Sequence, residues 1–281
     1  MKLTADNYFS NDAAKRYCSV SQLKRFIGSG GRIGCEAQAL AEINGEIEPP
    51  EPSKAMLLGS YVDCLLLEPK KKEQFEKNHP ELFKKDGSLY SDYAIAPDMV
   101  KTAKNDKTFM KALDGKKQVI MTGDIFGVPF KIKVDVLGDK KITDLKTCAS
   151  ITETQFNPIR GQRETFAEFY DYDLQGAIYQ QIVFQNTGKK MPFFLACISK
   201  EKVPDHEIIW IDDESLSERL EQVKPYIVHV GMLKNGEVEP TACGCCDYCR
   251  SKKKVKKAIN WRQIGGELEN GTHVYDTDKG K

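Results

Sequence analysis

The stretch QVIMTGDIFGVPFKIKVDVLGDKKITDLKT, residues 118–147, constrains the fold of this chain most. Its apolar residues recur with a period of two, and turn signals interrupt it near Phe126–Gly127 and Asp139–Lys140. The pattern predicts three successive strands joined by tight turns, an antiparallel meander and not a βαβ unit.

Helical patterns flank the meander. In CSVSQLKRFIGSGGRIGCEAQALAEI, Ser19 or Ser21 is suited to cap a helix carrying Leu23 and Phe26, and a loop over Gly28–Gly34 separates it from a second short helix. Ser53 can cap the apolar segment KAMLLGSYVDCLLLEP, which should end before Pro69. After the meander come a long helix over about Glu164 to Phe184, strands in PFFLACISK and HEIIWI, and a helix from about Ser215 to Lys234. This order predicts an α+β or α/β fold with a mixed central sheet and flanking helices. Residues 70–117 read as loops and a helix covering a core, without legible chemistry. The chain reads as a single domain over residues 1–250, with no internal repeat, and residues 251–281 as a basic, then polar, flexible tail.

Composition narrows the function classes. Of 281 residues, 40% are hydrophobic, enough for a substantial core, and 42 Lys and Arg balance 41 Asp and Glu, so any contact with nucleic acid needs a local patch. No apolar run approaches the roughly 20 residues of a spanning helix. The start MKLTADNYFS lacks the build of a signal peptide, so the expectation is a cytoplasmic protein without a membrane partner. Nine cysteines, four of them in CGCCDYC, argue for reduced thiols or a metal centre against a disulfide framework.

A two-residue loop at Asp139–Lys140 would pair Gly138 with Lys141, Leu137 with Ile142, Val136 with Thr143 and Asp135 with Asp144. Two carboxylates facing each other repel, and a hard divalent cation is the natural compensation. Lys146, two residues beyond Asp144, projects from the same strand face. Asp63 lies in the middle of the apolar helix, where an isolated carboxylate is costly, and a shared metal would account for it as well.

Asp135 followed by Asp144-Leu145-Lys146 resembles the acid, acid-x-lysine core of the PD-(D/E)xK nuclease superfamily. GSYVDCLLLEP resembles the G-x-x-x-H…LEP helix of RecE-type and RecB-type nucleases, and YDLQGAIYQQ their Q-x-x-x-Y helix through Gln175 and Tyr179. The order agrees over most of residues 17–250, and the pattern is similar above all to phage and prophage RecE-like exonucleases. Two departures stand out: Asp63 occupies the place where the family commonly has histidine, and Val134 that of the classical proline.

The resemblance implies a restriction-endonuclease-like core. Asp63, Asp135, Asp144 and the Leu145 carbonyl would hold one or two Mg²⁺ or Mn²⁺ ions, Lys146 would act on water or on the developing charge, and Gln175 and Tyr179 would face the site from their helix. Lys133, on the same strand face as Asp135, could meet a phosphate or modulate the acids. The function implied is 5′ to 3′ exonuclease action on linear double-stranded DNA ends in phage-type recombination. Its implied partners are a RecT-type single-strand annealing protein and copies of the chain itself. A structure-specific or restriction-like endonuclease, or a catalytically degenerate DNA-binding protein, would use the same core.

Cys243, Cys246 and Cys249, with Cys245 as a spare and Cys35 far upstream, can hold Zn²⁺ or an iron–sulfur cluster. One cysteine before the core and three after it is the order in several RecB-like nucleases that carry a [4Fe-4S] cluster. A reduced cluster without an ion is the alternative. Cys18, Cys64, Cys148 and Cys197 sit in apolar or strand contexts and read as core residues. The basic run RSKKKVKK after the cluster could contact DNA phosphates.

Overall fold

The computed structural model describes residues 1–255 and the backbone of 268–269 and 272–273. In chain order the helices are α1 (Asn11–Arg16), α2 (Val20–Ile27), α3 (Glu36–Asn44), α4 (Lys54–Leu67), α5 (Lys72–Asn78), α6 (Ala96–Asn105), α7 (Lys107–Ala112), α8 (Phe166–Phe169), α9 (Tyr172–Thr187), α10 (Asp213–Asn235) and α11 (Asp247–Lys252). The strands are β1 (Lys116–Ile125), β2 (Val128–Leu137), β3 (Ile142–Cys148), β4 (Gln155–Asn157), β5 (Gln162–Glu164), β6 (Phe193–Ser199), β7 (His206–Ile211), β8 (Leu268–Glu269) and β9 (Thr272–His273).

Five strands form one mixed sheet in the order β1-β2-β3-β6-β7. The first three make the expected antiparallel meander, β6 lies parallel to β3, and β7 returns antiparallel. The β1–β2 turn puts Phe126 and Gly127 at φ 54° and 83°, with Ile125 opposite Val128, the two-residue geometry that follows the twist of the strands. The β2–β3 turn has the expected register, Leu137 opposite Ile142 and Val136 opposite Thr143.

Pairing between β2 and β3 ends there, which corrects the expected Asp135–Asp144 pair. Beyond Val136, β2 stays with β1 while β3 stays with β6, and the sheet opens into a fork at the two acids. The distortion extends to β1, where Gln118, opposite Asp135, has φ 53° and drops out of the ladder. Such a conformation is costly for a residue other than glycine and persists where its surroundings demand it.

Two apolar clusters line the sheet. The larger packs Phe130, Ile132 and Val134 of β2 and Leu195 and Cys197 of β6 against α2, α3, α9 and α10. The second packs Val136, Leu145, Ala196 and Ile198 against α4, α6 and α7. Residues 70–117 are therefore more than a covering of loops and one helix: Met99 and Phe109, on α6 and α7, are among the most deeply buried side chains. The caps fall at Ser19 and Ser53, whose hydroxyls accept from Gln22 and Met56 N–H.

The long helix expected over about 164–184 is broken. Glu164 ends a small hairpin, β4–β5, and Asp171 at φ 50° separates α8 from α9. Asp171 is buried and paired with both Arg160 and Arg219, so an ion network fixes the start of α9 against the hairpin and α10. Cys18, Cys64, Cys148 and Cys197 are all buried. Of the expected flexible tail, everything from residue 256 onward except the short β8–β9 pair lies outside the described residues.

Candidate metal-dependent site at the strand fork

Asp135 reaches across the fork. Its Oδ2 accepts the Leu145 N–H at 3.1 Å and its Oδ1 the Gln118 amide at 3.3 Å. N–H and C=O of one strand residue project to the same side, so the Leu145 carbonyl also faces the fork and is not consumed by β6. The Leu145 side chain is buried in the second cluster.

Asp144 is 1% exposed. Gln175, from α9, donates to its Oδ1 at 2.6 Å, and Lys146 Nζ stands 2.5 Å from its Oδ2. Oδ2 nevertheless has no hydrogen bond of acceptable angle. Lys146 thus meets Oδ2 as an ion pair. Burial opposes the charge on Lys146, but Asp144 and its other neighbours outweigh burial and hold the pKa well above its ordinary value.

Asp63 faces the same region from α4. Gly59, one turn earlier, lets the helix approach β3: a Cβ there would stand 3.1 Å from Thr147 Oγ1. Asp63 makes no hydrogen bond or ion pair among the described residues, and burial, then the charge of Asp135, raises its pKa well above the carboxylate range. Burial, followed by the charge of Asp144, likewise raises Asp135 to about 7.

Tyr179 sits one turn beyond Gln175, but its hydroxyl donates to the Lys133 carbonyl at 3.3 Å and its ring packs edge-on against Phe193. It braces α9 against β2 and, among the described residues, makes no hydrogen bond to an acid, although the charges of Asp144 and Asp135 act on it. Gly176 permits the close approach of α9, since a Cβ would lie 2.7 Å from the Phe193 ring.

Three residues joining this region were not legible in the sequence. Gln118 holds Asp135; Tyr172 takes Lys146 Nζ at 5.0 Å over its ring; and Lys24, from α2, sits 5.4 Å over the same ring while donating to the Tyr170 carbonyl at 2.5 Å. Burial lowers Lys24 to about 8, against the pull of Asp171. Only the spacing of Lys24 from the Ser19 cap could have hinted at its direction.

The donor set suits a hard cation: three carboxylates and a strand carbonyl, all oxygen, with one buried carboxylate oxygen unbonded and another carboxylate without a partner. The acids stand further apart than the thiols. Among the described residues, the group of three or more Cys, His, Asp or Glu ligand atoms lying within 4.8 Å of one another is Cys35, Cys243, Cys246 and Cys249.

Those four thiols join the two ends of the core. Cys35 caps α3 and Cys246 caps α11, accepting from the Gln38 and Cys249 N–H groups. Cys35 and Cys249 sulfurs are 3.6 Å apart, and Cys243 and Cys249 are 3.9 Å apart. Cys245 lies 3.6 Å from Cys243 outside the foursome. Burial opposes ionisation of Cys243, but the Cys245 and Cys246 N–H groups outweigh it and bring the thiol down to about 6.

A mixed sheet flanked by helices, with this core topology, is that of the restriction-endonuclease-like PD-(D/E)xK nuclease superfamily. Within it, the chain belongs to the family described as "PDDEXK-like domain of unknown function (DUF3799)", which matches residues 19–252. It is similar to the crystal structure of a "Putative exonuclease" from Eubacterium rectale, with 41% identity and a TM-score of 0.88 over 95% of this chain and 100% of that one. No functionally curated protein matches. No helix among the described residues is long and apolar enough to cross a membrane.

Proposed function

We propose that this protein is a metal-dependent deoxyribonuclease acting on the ends of linear double-stranded DNA. The observation that carries the reading is the convergence at the strand fork: Asp135 held by Leu145 N–H, and Asp144 gripped by Gln175 and Lys146. Similarity to a protein described as an exonuclease supports end-directed action, and the 5′ to 3′ polarity comes from the RecE-like resemblance.

Asp63, Asp135, Asp144 and the Leu145 carbonyl would hold Mg²⁺ or Mn²⁺, which supplies neutralisation of the scissile phosphodiester and activation of water. Lys146, fixed as an ammonium by Asp144, would steady the charge that develops on phosphate as water adds and the ester oxygen leaves. Gln175 would keep Asp144 in one rotamer, and Tyr179 would keep α9 at its distance from β2. A RecT-type annealing protein and self-association remain parts of this proposal that rest on the resemblance.

The test is release of nucleotides from linear duplex DNA with Mg²⁺ or Mn²⁺, with Lys146→Ala as control. Activity on linear DNA with closed circles spared supports the exonuclease; cleavage of both shifts the reading to an endonuclease. Inactivity of the parent with either metal leaves only a DNA-binding protein.

For the thiols, where the sequence pattern put an iron–sulfur cluster ahead of zinc, we favour a single tetrahedral ion instead. Four sulfurs at about 2.3 Å from one Zn²⁺ stand about 3.8 Å apart, close to the 3.6 and 3.9 Å separations of Cys35 and Cys243 from Cys249. A [4Fe-4S] cluster binds each thiolate to a different iron and needs the sulfurs spread wider.

A further inference from the structure

Phe9 is among the most exposed large apolar side chains, at 77% exposure, yet its position is fixed from both sides. Before it, Tyr8 is buried, with its carbonyl accepting Lys131 Nζ at 2.5 Å and its ring 4.8 Å beneath the same ammonium. After it, Ser10 caps α1 and also donates to the Asn7 carbonyl at 2.8 Å. The Phe9 ring meets Tyr8 edge-on, with centroids 4.9 Å apart, and Lys133 Nζ lies 5.2 Å from its centre.

Its neighbours connect it to the strand fork. Lys133 lies two residues before Asp135 on β2, near enough for its charge to act on both Asp135 and Asp63, and its carbonyl receives the Tyr179 hydroxyl. An isolated exposed aromatic needs no explanation, but one braced by a buried tyrosine and beside a cation whose charge reaches the acids of the fork is unusual. The pairing matches what single-stranded nucleic acid takes: a flat ring for a base and an ammonium for its phosphate.

We propose that Phe9 is a stacking platform for a nucleobase near the end of a DNA strand, with Lys133 drawing the adjoining phosphate toward the acids. The proposal rests on the nuclease reading and deepens it, because a ring beside the fork can hold a base only where the end has frayed. A fixed ring loses little freedom on binding, so its contact goes largely into affinity.

The experiment compares the parent with Phe9→Ala and Phe9→Trp: binding is measured in a Lys146→Ala background with Mn²⁺, and turnover with Lys146 retained and Mn²⁺ present. Linear duplexes carry an intact end or an abasic site at each of the first three nucleotides of one strand. The parent and Phe9→Trp should bind intact ends on the order of tenfold more tightly than one of the abasic ends. Phe9→Ala should bind both alike, with unchanged melting temperature, and in turnover should raise KM while kcat holds. Equal discrimination by parent and Phe9→Ala overturns the platform while leaving the nuclease reading intact. A change of oligomeric state in Phe9→Ala, with no change in DNA binding, assigns the ring to a self-interface and overturns it likewise. A parent that neither binds nor cuts DNA overturns the platform together with the nuclease reading.

Discussion

Asp135 accepts the backbone N–H of Leu145 at 3.1 Å, so a side chain on β2 bonds β3 where the strands have stopped pairing. The sheet opens at the two acids, whose charges still act on one another, and the Leu145 carbonyl is left outside the β2–β3 ladder.

A pH dependence follows. Asp135 keeps its proton up to about 7 in the folded, metal-free chain, whereas an unfolded aspartate has lost it by about 4. The folded state therefore binds more protons in that window, and its stability falls as pH rises from about 4 to about 7. Asp63 acts in the same direction. In chelator, Asp135→Asn should gain melting temperature over the parent progressively across that window, and should lose at least about a hundredfold in nuclease turnover. Parallel melting curves for the two proteins would refute the account.

Lys146→Ala should lower turnover by about 10²–10⁴ while DNA binding persists. It also leaves Asp144 buried without its cation, a change that costs on the order of 3 kcal/mol in similar buried pairs. Urea unfolding in chelator measures that loss. Adding Mn²⁺ should return part of the stability in the variant, and no metal effect on either protein would count against carboxylate coordination.

Gln175→Leu removes the 2.6 Å donation to Asp144 but keeps the bulk of the side chain. Its turnover should fall about 10–100-fold, the usual scale for a group that orients a ligand. Gln175→Glu should be worse, because it sets a second carboxylate against Asp144. Parent-level turnover in Gln175→Leu would mean that Gln175 only fills space.

Much of this was legible in the chain. Period-two patterning and the turns at Phe126–Gly127 and Asp139–Lys140 give the meander, and Ser19 and Ser53 mark helix starts through their short-range caps. Asp135, Asp144 and Lys146 stand together because register and alternation are local rules. The fork was not legible: whether a ladder continues past Val136 depends on competition from β1 and β6, which is non-local. Nor was the break at Asp171, where helix propensity yields to a buried pairing with Arg160 and Arg219. Lys24 and Gln118 reach the site only through tertiary packing, and no spacing between them and the acids announces it.

The thiol cluster yields the last prediction. Cys35 precedes the core and Cys243, Cys246 and Cys249 follow it, so an ion held by all four closes a loop of more than 200 residues, and its binding energy becomes folding energy. Protein prepared without oxygen should be colourless and contain one zinc per chain by elemental analysis. Cys249→Ser should lose that zinc and melt several degrees lower, while Cys245→Ser, outside the foursome, should keep both. A brown preparation absorbing near 400 nm, with iron in place of zinc, would show that the sulfurs spread to take an iron–sulfur cluster. A metal-free protein with unchanged stability in Cys249→Ser would mean that the thiols merely pack.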